Sequence, residues 1–504
     1  MQFPSQLRPS FSAAAAASPV AAAAPRGYDW TWFAIRGGCL LTGIVLLGIP
    51  MGEFQRYNMG IVSWATFLVT LLVCLGGFRI ALRNSDNPWV EPSFLITAYY
   101  FVKFGFGALV IYYWDQYPWH SQYLAERFFM YGIRDHLGNA CQIILTGAVG
   151  FGFGLSLSPA PIVKYLPQVM WEVDEERFRR NMWLFTPIPL GISTVLQFLV
   201  PVEAVGTVVL FGWVLTAMAI VATYWMFSST GADRKQWIIY VVGIGVAMLA
   251  VGLITGMVSE FMKPAVMVAW GYMLARKRFP WKTVCSVILI GFLTIFPWMT
   301  IYKYVSWNEM PLEQRLEVTK EMMHQISFVE SLELTVDRFL ARGVGAPFPA
   351  IFSRFYPEVY PYEWGRTFLI EIEGLIPRVL WEDKPQTSVE LNKYSMMVGL
   401  VGEQSKTSAV FDAVTEYFVN FGLPGVFLLC VVHGFYMNFL FEWLVRRSHY
   451  LMGAAVYLAL FTLNNDFFGF MQLFVLFHIK NFPVWIFLFY LMSRRPKAAA
   501  TQEA

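Results

Sequence analysis

Five arginines fall between residues 338 and 378: Arg338, Arg342, Arg354, Arg366 and Arg378. The last four are spaced by twelve residues, and the prolines between them forbid one continuous helix. A guanidinium presents five N–H donors in a planar fork, keeps its charge at any ordinary pH, and grips phosphate oxygens two at a time. Arg378 lies in the phrase GLIPRVLWEDKP, where Pro377 sets the preceding backbone and Trp381 and Pro385 stiffen the chain after it, with Lys384 nearby. The apolar run before it, Thr367 to Ile376, carries Glu371 and Glu373. Carboxylates beside an apolar phase tend to have raised pKa values and can serve as acids or bases. The plainer alternative is that each arginine pairs with a nearby acid such as Asp337, Glu358, Glu363 or Glu371. Aromatic residues accompany the arginines, Trp364 and Trp381 among them. Such rings can stack on the apolar C–H face of a sugar, or form an interfacial belt.

These residues belong to a chain of 504 residues that is 57% hydrophobic and 14% charged. Soluble domains carry about 25% charged residues, so the composition is that of an integral membrane protein. The net charge of +3 conceals a segregation of charge along the chain that reads as topology and not as nucleic-acid binding. The five cysteines lie scattered in apolar stretches, which predicts buried thiols without a disulfide framework. The six histidines are dispersed and no CxxC occurs, so no metal-ligand cluster is expected.

A membrane-crossing helix needs about 20 mostly apolar residues. Twelve candidates occur, at about 29–50, 60–82, 93–114, 138–158, 182–200, 205–227, 237–257, 260–275, 283–305, 417–443, 449–467 and 471–492. A tight turn marked by Gly256, Glu260, Lys263 and Pro264 divides the long 237–275 stretch in two. With the N-terminus inside, the connections holding Arg79 and Arg83, Lys164 to Arg180, Arg234 and Lys235, Arg276 to Lys282, and Arg446 and Arg447 all fall on the cytoplasmic side. The concentration of Lys and Arg there satisfies the positive-inside rule. Both termini are then cytoplasmic, residues 1–28 and 493–504 forming tails, the first of them Ala/Pro/Ser-rich and expected to be disordered. Residues 29–305 hold nine spans, 306–416 a large outward loop, and 417–492 three more spans. The loop opens with one amphipathic helical pattern over PLEQRLEVTKEMMHQISFVESLELTVDRFLAR and continues, from Gly343, as loop with short helices. It is acidic by count, so its arginines are not part of a general basic coat. A lipid pyrophosphate at the outer leaflet is a natural partner for several of them. Arg36, Lys103 and His433 lie inside spans, where polar groups usually face a cavity or a partner.

Two phrases carry a family resemblance. The loop contains Ile376-Pro377-Arg378-Val379-Leu380-Trp381-Glu382-Asp383-Lys384-Pro385, and the next span opens with Glu416-Tyr417-Phe418-Val419-Asn420-Phe421-Gly422-Leu423-Pro424-Gly425. In this order they resemble the large periplasmic loop and following span of the O-antigen and exopolysaccharide repeat-unit polymerases, the Wzy-type family. The likeness is close over about 340–430 and is hydropathy alone elsewhere. Arg354 to Gly365 also fits an Arg-x10-Gly pattern of some members, a match that chance readily produces when glycine is about 7% of residues.

The resemblance implies an all-α polytopic membrane protein of about twelve spans with one large periplasmic loop, similar to the GT-C type. It implies a metal-independent glycosyltransferase of the bacterial inner membrane, without cofactor. Donor and acceptor would be undecaprenyl-pyrophosphate-linked glycans, with a chain-length regulator and a flippase as partners. Arg378, then Arg366 and Arg354, would stabilise the departing pyrophosphate. Arg342, Arg338, Lys384, Trp381 and Trp364 complete the expected pyrophosphate- and sugar-binding set. Glu416, at the mouth of a span, Glu371 and Glu373 are the candidate bases. An O-antigen ligase is the nearest alternative, with His324 as the only loop histidine, and a lipid-linked oligosaccharide transporter or flippase is the other.

Overall fold

Hydrocarbon offers no partner to a backbone N–H or C=O, so apolar runs of spanning length satisfy their main chain internally as helices. In a computed structural model the described residues are 30–113, 133–167, 172–185, 205–255, 258–306, 312–343, 345, 347–376, 380–381, 383–385, 387–399, 412–447, 451–463, 471, 474 and 492–494. The first helices are α1 (Trp30–Gly48), α2 (Met59–Asn84), α3 (Pro92–Tyr113, with a π turn at Phe101–Gly105) and α4 (Leu137–Ser156). Next come α5 (Glu175–Phe185), α6 (Val205–Ser228), α7 (Gly231–Thr255) and α8 (Val258–Arg276). Helix α9 runs through Trp281–Ile290, a π turn at Gly291–Ile295, and Phe296–Ser306. The loop region contains α10 (Leu312–Gln325), α11 (Phe328–Gly343), α12 (Pro347–Phe355), α13 (Arg366–Glu373) and α14 (Thr387–Met397). Last come α15 (Ala413–Phe441, continued by a π turn at Glu442–Arg446) and α16 (Leu451–Leu463).

Among the described residues α2, α3, α4 with the turn before it, α9 and α15 with its extension are long and apolar enough to cross a membrane, and α1, α6 and α16 contain shorter apolar helices. The chain is a helical membrane protein. Its one strand pairing among the described residues is two residues long, β1 (Glu172–Val173) against β2 (Ser493–Arg494).

The centre of the bundle is the contact between α4 and α15. Apolar side chains gain little by association in lipid, so close helices there depend on small residues that let backbones approach. A Cβ on Gly154 would sit 2.2 Å from the Val431 carbonyl oxygen, and one on Gly150 would sit 2.8 Å from that of Phe427. Gly434 returns the fit, 3.0 Å from the Phe151 carbonyl oxygen. These pairings advance together along both chains, so α4 and α15 are parallel. Helix α2 runs antiparallel to α3, as the pairs Gly77–Ser93 and Gly105–Thr70 show.

Polar contacts gather one set of helix ends. Arg36 Nε donates to the Ser156 carbonyl at 3.1 Å, closing the end of α4, and Asn438 Nδ2 donates to the Leu157 carbonyl at 2.8 Å. The Glu91 carboxylate, which caps α3, is paired with Arg446 beyond the end of α15. Lys277 meets Asp86 at 3.4 Å, Arg179 meets Asp233 at 3.0 Å, and the Trp443 indole donates to Pro167 O at 3.0 Å. The starts of α4 and α15 lie at the opposite end with α12 and α13, which pack on them.

Three sequence expectations need amendment. The amphipathic stretch is two helices, α10 and α11, because Ser327 starts a new one: Glu330 N donates to Ser327 Oγ at 3.2 Å and Ser327 N to Glu330 Oε2 at 2.8 Å. That reciprocal capping box is spelled SFVE in the sequence. The 237–275 stretch does divide, but between α7 and α8, and Pro264 sits inside α8. Cys285 is exposed on α9, while the other four cysteines are buried. The candidate spans at 182–200 and 471–492 lie largely outside the described residues.

Candidate functional site

The start of α15 is a spanning helix with a break built in. Pro424 has no N–H to offer the Asn420 carbonyl, and Gly422 (φ 65°, ψ −158°) takes the backbone out of helical register. The carbonyls this frees are taken up by the loop. Glu363 N donates to Val419 O at 3.1 Å and Trp364 N to Asn420 O at 3.0 Å. Gly365 N then donates to the side-chain Oδ1 of Asn420 at 2.9 Å. Residues 363–365 thus cross over the break as a short main-chain clasp. Trp364 (φ 50°) and Gly365 (φ 91°) adopt the left-handed conformation that the crossing needs.

The same asparagine reaches the candidate base. Asn420 Nδ2 donates to the Thr367 hydroxyl at 2.7 Å and to Glu416 O at 2.8 Å, and the Thr367 hydroxyl donates to Glu416 Oε1 at 2.8 Å. Thr367, Glu416 and Asn420 are all buried. One turn earlier Asp412 caps α15, its Oδ1 accepting from Thr415 N at 3.0 Å. Burial raises the Asp412 carboxyl above the ordinary range, against the opposing pull of the Lys103 charge and of hydrogen bonds from Thr415. Lys103 is buried in the π turn of α3, and its carbonyl accepts from Gly345 N at 2.8 Å. The extra residue of a π turn re-aims side chains, and such turns are common at functional sites. Two buried carboxyls and a Thr–Asn relay therefore meet at the mouth of α15, within reach of the Lys103 charge.

Helix α13 begins here with Arg366, which is exposed and has no ion pair among the described residues. Thr367, Ile370 and Glu371 form its buried face, so Glu371 is one turn from Thr367 on the side packed against α14 and α15. Glu373 is half-buried at the helix end. Lys384 closes the end of α13, donating to Gly374 O at 2.9 Å and Ile376 O at 2.8 Å. Glu363 differs from expectation. It accepts from the Tyr394 hydroxyl at 3.2 Å and the Tyr356 hydroxyl at 3.4 Å, not from an arginine. Burial first, and then the Glu363 charge, push both phenols above their ordinary range.

Arg354 is exposed at the end of α12 with its guanidinium 5.4 Å from the Phe355 ring centre. Trp364 is exposed at the mouth and Trp381 half-buried. Arg378 lies outside the described residues, and Arg338 and Arg342 lie on α11 with side chains outside them. No group of three or more metal-binding side chains occurs among the described residues. Sequence reasoning missed Asp412, Thr367 and Asn420. The Asn-Phe-Gly phrase was in view as a motif, but its use as a joint between loop and helix was not.

No curated protein and no solved structure matches the chain. Residues 57–481 match a family model described as Domain of unknown function (DUF8712). That span takes in every element of the site and most of the bundle, and the chain belongs to the DUF8712 family.

Proposed function

We propose that this protein is an inner-membrane polymerase that joins lipid-linked oligosaccharide repeat units, on a twelve-span bundle of the GT-C kind with both termini cytoplasmic. The observation that carries the reading is Glu416, a buried carboxylate fixed by Thr367 at the mouth of a broken spanning helix, beneath a loop helix that opens with exposed Arg366. Two lipid-linked substrates must meet at such a boundary. The acceptor hydroxyl oxygen bonds to the donor's anomeric carbon, the anomeric C–O bond to pyrophosphate breaks, and the hydroxyl proton passes to Glu416. Arginines at the departing pyrophosphate stabilise its developing charge, with Arg366 and Arg378 as the assigned pair. The gathering of the Lys- and Arg-bearing connections at the end away from α12 and α13 supports a loop on the outer face.

The test is mass spectrometry of lipid-linked glycans in a deletion strain, complemented with wild type, Glu416→Gln or Arg378→Ala at matched membrane levels. Single repeat units should accumulate in the deletion, be consumed with wild type, and persist with either variant. Full-length polymer left on the lipid would mark a ligase instead. Unchanged lipid-linked glycans would overturn both readings.

A further inference from the structure

Helix α13 has two faces. One is buried against α14 and α15. The other carries exposed Leu369 and Ile372, and past the helix end Ile376 and Leu380 are exposed too, Leu380 by 79%. The spacing of three residues puts Leu369 and Ile372 on one side of α13. Trp364, exposed by 75%, stands at the start of the stripe and meets the Phe421 ring edge-on at 6.1 Å. Below Phe421 on α15 the exposed residues are Pro424, Leu428 and Val432, each one turn from the last. The stripe on α13 is therefore continuous, through Trp364 and Phe421, with the outward face of a membrane-crossing helix. Arg366 adds an exposed cation at the end where the stripe meets α15.

We infer that this stripe is a lipid-docking surface, with α13 lying in the outer leaflet, the acyl chains of an anionic phospholipid against Leu369, Ile372, Ile376 and Leu380, and its phosphate at Arg366. An apolar stripe of this kind in water is unfavourable, whereas at the boundary its apolar residues, tryptophan and arginine each find their preferred depth. The inference goes beyond the reaction proposed above and shares Arg366 with it: the phospholipid phosphate occupies that guanidinium when no donor pyrophosphate is bound.

Cys285 is the exposed cysteine among the described residues, so a Cys285→Ser background leaves buried thiols only. In that background Leu369→Cys, Ile372→Cys, Leu428→Cys and Glu358→Cys each carry one fluorophore at an exposed position. The full chain is placed in nanodiscs whose phospholipids have brominated acyl chains. Fluorescence at 369 and 372 should fall as far as at 428, and fluorescence at 358 should hold. Brominated phosphatidylglycerol should quench 372 more than brominated phosphatidylcholine, and Arg366→Gln should remove that difference. Quenching at 372 by aqueous iodide in place of bromolipid would overturn the inference by placing the stripe in water. Protection from both quenchers would overturn it by showing a protein surface, a second copy included. An unchanged headgroup preference in Arg366→Gln would overturn the role given to that arginine.

Discussion

Asn420→Ala tests the joint between loop and membrane most directly. The side chain makes three hydrogen bonds: to Thr367, to the Glu416 carbonyl, and from Gly365 N. Side-chain hydrogen bonds in membrane proteins average about 0.6 kcal/mol, and buried bonds in soluble proteins about 1 kcal/mol. The two that bridge to the loop, from Gly365 N and to Thr367, together give a loss of about 1.2 kcal/mol on the first basis and about 2 kcal/mol on the second, or about 8- to 30-fold in the equilibrium for opening the clasp. Glu363 N and Trp364 N bond to main-chain carbonyls that the substitution leaves in place. If Asn420 pins the crossing as a unit, all three amides at 363–365 exchange faster together, while the α4–α15 core keeps its protection. Hydrogen exchange with residue-level fragmentation reads this. Faster exchange at Gly365 alone would refute the reasoning, because the clasp would then be held by its main-chain bonds without the asparagine.

Gly154→Leu should push α4 from α15, since even a Cβ there falls 2.2 Å from the Val431 carbonyl oxygen; overpacking of this kind costs about 1–3 kcal/mol or more, read as a lower midpoint in detergent-induced unfolding. Arg446→Met leaves the buried Glu91 carboxylate without its cation and should cost about 3–5 kcal/mol; adding Glu91→Gln should restore most of that loss in the same assay. The phenols of Tyr356 and Tyr394 sit above their ordinary range in the folded protein. Their contribution is therefore fully present below pH ~10, the unfolded value, and is lost as pH rises through the folded one. Tyrosinate absorbance should show the two ionising late, and Glu363→Gln should bring them to lower pH by removing the nearby charge.

Much was legible in the sequence because the bilayer leaves so few choices. Long apolar runs had to become helices, and α2, α3, α4, α9 and α15 begin and end within a few residues of their expected bounds. Glu416 was legible as a candidate because a carboxylate at a span mouth is chemically conspicuous. The capping box at Ser327 is equally local, but its four residues split a stretch that its apolar spacing presents as one helix.

Contacts between residues distant in the chain were not legible. No periodicity says that Asn420 reaches back to Thr367 and Gly365, that Lys103 belongs beside Asp412, or that Lys384 clamps the end of α13. Each of these depends on which helices approach and at what height, and that was set by glycines packing against backbone carbonyls. The sequence by itself determined that the chain enters the membrane as helices and where its unusual charges stand. Only the tertiary structure decided which charges share a site, because burial and hydrogen-bond geometry depend on the full set of neighbours, and most of those neighbours are far away in the chain.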